Sequence, residues 1–216
     1  DSGGATDGLP SGPFEPRQHR TLEGGLRSWV NEQADLDLGY AEQLYTFADR
    51  GRQPEQNDDK PPVVSIGYLA LTQARGGAEL SSGTWRPWYH YFPWEDWRRG
   101  RPDIIAAEIE PRLKAWAERQ PGLTAAQRPI AQAERIRICF GLDGTAWDEE
   151  KVLERYELLY EAGLVEEARR DGRALTQEWP DLPRLGQPMQ FDHRRILATA
   201  INRTRAKIKY RPVVLN

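Results

Sequence analysis

Cysteine is nearly absent from this chain. Cys139 stands alone among 216 residues, so neither a disulfide framework nor a cysteine metal cluster can form within it. Histidine is scarce as well, and His19, His90 and His193 lie in separate segments without metal-ligand spacing. No run approaches the roughly eighteen apolar residues of a membrane span, and the first residues lack the apolar region of a secretory signal. The expectation is a soluble protein in a reduced, cytoplasmic setting without membrane contact. No glycine-rich loop is placed to cradle phosphate, since Gly76-Gly77 reads as an ordinary turn. Acid is missing from one terminal stretch, where Arg194, Arg195, Arg203, Arg205, Lys207, Lys209 and Arg211 follow one another without a carboxylate. The net charge is −3, so the rest of the chain is distinctly acidic. A basic segment on an acidic body suits attraction to a phosphate backbone. It equally suits a solvated helix whose last turn complements the macrodipole.

What is present begins with TLEGGLRSWVNEQADL. Leu22, Leu26, Trp29, Val30 and Gln33 recur at three- and four-residue intervals, which predicts a helix with Thr21 as its N-cap. Two short runs rich in β-branched and aromatic residues follow, YAEQLYTF and VVSIGYLALT, separated by turn formers. They predict strand, long loop and strand. Aromatic density peaks in WRPWYHYFPWEDW. Its alternation predicts a strand ended by Pro93, with Trp88, His90 and Phe92 on one face and Tyr89 and Tyr91 on the other. Such rings suit a core or a subunit interface, or the stacking of an adenine.

Beyond Pro93 the pattern turns helical. Ile104, Ile105, Ile109, Leu113 and Trp116 form a stripe that Pro111 should kink or restart. A later helix is predicted from Asp148 as N-cap to Gly163 as terminator, burying Val152, Tyr156, Leu159 and Tyr160. A last one follows Asp192, with Ile196, Leu197, Ala200, Ile201 and Thr204 on one face. The length fits one compact domain with an inserted helical lobe.

Helix, strand, loop and strand in this order resemble the Nudix hydrolase superfamily from its signature helix onward. The signature reads glycine, five residues, glutamate, seven residues, then Arg-Glu-aliphatic-x-Glu-Glu-x-Gly-aliphatic. With its aliphatic positions on Val30 and Leu36, Phe14 falls at the first glycine, Arg20 at the first glutamate and Ser28-Trp29 at Arg-Glu. Glu32-Gln33 fall at Glu-Glu, and Asp35 at the late glycine. Glu32 alone keeps a metal-binding carboxylate. A single one cannot assemble the usual magnesium cluster, and a cationic Arg20 would oppose it.

The wider chain resembles the Nudix-related transcriptional regulators of NAD metabolism, in their alphaproteobacterial NAD-regulator branch. The residues that carry this are LPSGPFEPRQHRTLEGGLRSWVNEQADLDLGYAEQLYTFADRGR, VVSIGYLAL, YHYFPWEDWRRGRP, WDEEKVLERYELLYEAGLVEEA and FDHRRILATAINRTRAKIKYRPVV.

The resemblance implies an α+β fold, a Nudix-like α/β/α sandwich with a mixed sheet and a helical insertion. Residues 1–98 would form the Nudix-like domain, 99–189 the insertion, and 190–216 the closing helix leading toward a winged helix-turn-helix. DSGGATDGLPSGP stands where a Nudix domain has already supplied a strand or two, and RPVVLN stands near where the winged helix-turn-helix begins. A fragment of a longer chain is therefore expected. The implied function is a catalytically impaired sensor that binds an adenine nucleotide or NAD-related effector. It would control operator DNA binding by the parent protein as a homodimer, with no resident cofactor or metal.

Effector contacts are expected from Glu32, from Tyr45 and Phe47 on one strand face, and from Arg50 and Arg52, whose guanidinium groups suit bidentate phosphate contact. The basic residues Arg194 to Arg211 are expected near DNA. Two other readings stand beside this one. A working diphosphohydrolase for an ADP-ribose-like substrate would use Glu42, Asp49, Asp58 or Asp59 as displaced metal ligands. A helical interaction module on a dead Nudix scaffold would bind no nucleotide.

Overall fold

A computed structural model describes residues 6–48, 63–72, 83–118, 130–172, 179 and 181–210. The fold is α+β, with helix far outweighing strand among these residues. Helix α1 spans Leu22–Ala34, β1 Ala41–Phe47 and β2 Ser65–Ala70. Then come two 3-10 turns at Trp88–His90 and Pro93–Glu95, and a π-helical turn at Ile105–Ile109. Helices α2 (Glu110–Glu118), α3 (Ile130–Phe140), α4 (Val152–Glu161), α5 (Glu166–Arg170) and α6 (His193–Tyr210) complete the order.

α1 starts and stops on identifiable residues. The Thr21 hydroxyl accepts a hydrogen bond from the Gly24 amide at 2.9 Å, the N-cap that the sequence predicts. The helix ends at Asp35, whose φ of 51° is left-handed and whose amide donates to Asn31. Few residues other than glycine tolerate that conformation, and aspartate is among them. Arg27 then fastens the helix to the approach of β1, donating to the carbonyls of Leu38 and Gly39.

β1 and β2 pair antiparallel, with a register shift between Gln43 and Tyr45. Leu44 and Phe47 are buried, and α6 lies against the sheet. Gly67 permits this close approach: a β-carbon there would crowd the Ile196 and Phe47 side chains.

The expected strand over Trp88–Phe92 is instead a 3-10 turn at Trp88–His90, and a second turn follows at Pro93–Glu95. Pro87 and Pro93 bracket it, fixing their own φ and offering no amide to a neighbouring strand. Free of a sheet, the rings need not alternate. Phe92 and Trp94 are both fully buried and meet edge to face.

Pro111 acts as predicted, with added detail. It cannot donate to the carbonyl one turn back and crowds it, and the chain responds with the wide turn at 105–109 before α2 starts. The stripe survives: Ile105, Ile109, Leu113 and Trp116 are buried. α4 begins at Val152, later than Asp148 suggested. The Asp148 carboxylate instead caps the preceding turn by accepting from the Glu150 amide.

One hydrophobic cluster runs from Tyr91, Phe92 and Trp94 through the helices to Leu185, Met189, Ala198 and Ile201. The helical segment expected as an insertion therefore supplies the body of this core. Tyr91, Phe92 and Trp94 before it and Ala198 and Ile201 after it join the same cluster, whereas the buried residues of α1 and the hairpin, Val30, Ala34, Leu44 and Phe47, lie outside it.

Candidate functional site

The face of α1 that carries Trp29 and Gln33 is occupied by the chain's own N-terminal segment. The Ser11 amide donates to Gln33 Oε1 at 3.1 Å, and Gln33 Nε2 donates to the Ser11 carbonyl at 2.8 Å. Trp29 Nε1 donates to the Pro13 carbonyl at 3.1 Å. Gly12 lies so close to the Trp29 indole that any β-carbon would collide with it. The strap is anchored at its other end on the helical core. His193 Nδ1 accepts from the Leu9 amide at 3.0 Å, the Tyr91 hydroxyl donates to Asp7, and Gln190 Nε2 donates to the Thr6 carbonyl. Burial pushes the Tyr91 phenol up to about 12, with help from Asp7. Burial also pulls His193 down to about 4, assisted by the charge of Arg170.

Glu32 is exposed near the end of α1. Tyr45 and Phe47 are brought together as expected, with ring centroids 5.2 Å apart. Their environments differ, because Tyr45 is 59% exposed while Phe47 is 3% exposed beneath the Arg195 guanidinium. Arg50, Arg52, Asp49, Asp58, Asp59 and Arg211 lie outside the described residues.

The basic series on α6 is paired within the chain. Arg194 is buried, paired with Glu167 and donating to the carbonyls of Tyr91 and Leu185. Arg195 pairs with Glu157 at 2.7 Å, and Arg205 with the fully buried Glu95. Lys207 pairs with Glu42 at 3.0 Å and Lys209 with Glu150 at 3.1 Å, while Arg203 stands 3.8 Å from Glu42. Each of these cations thus has a carboxylate within its own chain. Arg194 points into the core and Arg205 turns onto Glu95 with 13% of its side chain exposed; a charge drawn from water requires a fixed partner, and these two have theirs.

Glu42 lies between the hairpin and α6. The Tyr40 hydroxyl donates to Glu42 Oε2 at 2.9 Å, on the oxygen that Lys207 also contacts. Burial raises the Glu42 carboxyl, but the hydrogen bonds from Lys207 and Tyr40 and the nearby charges outweigh it and hold the group below its ordinary range.

Among the described residues, no group of three or more histidines, cysteines, aspartates and glutamates is placed to hold a metal ion. None of the described helices is long and apolar enough to cross a membrane. Cys139 is buried, and burial pushes its thiol up, away from nucleophilic use.

Sequence reasoning missed the Ser11–Gln33 exchange and the Glu95 and Glu167 partners of α6. All join residues distant in the chain, and a polar residue in the sequence does not announce which remote group it meets. No protein-family model matches the chain, and no curated protein matches it significantly.

Proposed function

We propose that this chain is the ligand-sensing, Nudix-like part of a transcriptional regulator of NAD metabolism. It binds an adenine nucleotide or NAD-related effector without hydrolysing it and passes the binding event to DNA-binding elements of a dimeric parent protein. The observation that carries this reading is the register of α1. Asp35, at the place of the signature's late glycine, has the left-handed conformation that a glycine would serve there. At the carboxylate positions Trp29 and Gln33 bind the N-terminal strap instead of a metal. A left-handed helix end at Asp35, together with side chains that cannot gather a metal cluster, supports binding without hydrolysis.

A second support is α6. It packs on the hairpin that bears Tyr45 and Phe47 and on α4 of the helical core, so a ligand at the hairpin shifts the seating of a helix that reaches Tyr210. The hydrolase reading is weaker on the same geometry. Glu42, its one described substitute ligand, already neutralises Lys207, and magnesium would have to displace that cation.

A thermal-shift panel of ADP-ribose, NAD, NADP, NADH, ATP and AMP, with and without magnesium, tests the proposal. A ligand at about a hundred times its Kd stabilises by about 2.7 kcal/mol, a rise of several degrees for a domain of this size. The expected outcome is a magnesium-independent rise with at least one of them. Magnesium-dependent cleavage of ADP-ribose would refute the non-enzymatic reading, and silence across the panel would refute the sensor.

A further inference from the structure

Arg203 and Lys207 sit one turn apart on α6 and converge on a single carboxylate, Glu42. The cluster is unbalanced, with two cations facing one anion. It is also incompletely bonded. Lys207 and the Tyr40 hydroxyl both reach Glu42 Oε2, whereas Oε1 is buried without a hydrogen-bond partner among the described residues. Arg203, at 3.8 Å from Oε1, is beyond hydrogen-bond distance, and its side chain is 52% exposed. The Lys207 ammonium rests over the Tyr40 ring at 5.2 Å, and Tyr40 itself is 46% exposed.

We infer that Arg203, Lys207 and the Tyr40 hydroxyl form an anion site for a diphosphate group, held in the unliganded protein by the chain's own Glu42. A diphosphate carries more charge than one carboxylate and offers several acceptor oxygens. It can satisfy the Arg203 fork and Lys207 together, which Glu42 does not. Its arrival moves Lys207 off Glu42 and so loosens the contact between β1 and the last turns of α6. This rests on the sensor reading and places its phosphate contact on α6.

The test is isothermal titration of the 216-residue chain with ADP-ribose, inorganic pyrophosphate and adenosine, comparing wild type with Glu42→Gln, Lys207→Met and Lys207→Arg. Far-UV circular dichroism verifies that each variant is folded. Removing the resident carboxylate should tighten ADP-ribose and pyrophosphate at least about fivefold. Lys207→Met should weaken both about tenfold, and Lys207→Arg should restore most of the loss. Pyrophosphate should compete with ADP-ribose, and adenosine should not displace pyrophosphate.

ADP-ribose binding that is indifferent to Glu42→Gln and Lys207→Met overturns this site while leaving the sensor intact. Pyrophosphate binding that follows the expected pattern with no nucleotide bound supports the site and overturns the sensor. No binding of either probe to wild type or Glu42→Gln overturns both. A short DNA duplex that displaces pyrophosphate from the site at equal phosphate concentration overturns the assignment in favour of a nucleic-acid backbone.

Discussion

Glu95 carries the heaviest electrostatic duty of any residue described. Fully buried, it accepts from Arg155 at 2.6 and 3.0 Å and pairs with Arg205, while Arg155 also donates to the Cys139 carbonyl and lies over the Trp147 ring. Replacing it by glutamine leaves two guanidiniums without their counter-charge, one of them in the core. Glu95→Gln should therefore cost about 3–5 kcal/mol in urea unfolding, and a loss below about 1 kcal/mol would show that the pair is dispensable.

His193 supplies a pH signature. Its folded pKa of about 4 lies below the ordinary value of about 6.5, so between those values the unfolded chain binds the extra proton. Its contribution is intact above about pH 6.5 and lost progressively as pH falls toward 4. Melting temperature against pH should slope less steeply across that window in His193→Gln than in wild type. Identical slopes would mean that another group titrates there. Neither residue's role could be read in the sequence, because burial and partnership come from segments far apart.

At the scale of elements, the N-terminal strap and α1 behave as one unit. Gln33 exchanges two hydrogen bonds with Ser11 as a neighbouring peptide would, and Gly12 has no side chain to obstruct the indole. Gln33→Ala removes both bonds, each worth about 1 kcal/mol. It should accelerate tryptic cleavage after Arg17 severalfold with little change in the melting temperature of the helical core; an unchanged cleavage rate would show that the strap is held by other contacts. α1 itself was legible, cap included, because an N-cap and a three-to-four periodicity are local properties. The aromatic run at 88–92 was not. Its alternation mimicked a strand, but a strand exists only with a hydrogen-bonding partner, and prolines at 87 and 93 withhold amides from one. Pro111 was read correctly as an interruption, although periodicity could not say that the relief takes the form of a widened turn.

At the scale of the whole molecule, α6 joins the hairpin to the helical body. Ile201 is buried in the main cluster, and Arg195, Arg203 and Lys207 reach toward β1 from the same helix. Ile201→Ala should destabilise by about 2–5 kcal/mol. Hydrogen exchange should then quicken at β1 and β2 amides together with those of α6, and acceleration confined to α3 and α4 would show that the hairpin is stable by itself. The sequence by itself determined the helical stripes and the two strands of the hairpin, since short-range periodicity decides these. Only the tertiary structure decided which residues gather into the main hydrophobic cluster, that the strap covers α1, and that the basic residues of α6 face carboxylates of their own chain. The physical reason is that a charge in the sequence has a sign but no direction. Whether it meets solvent, a ligand or a buried partner depends on which distant segment packing brings beside it.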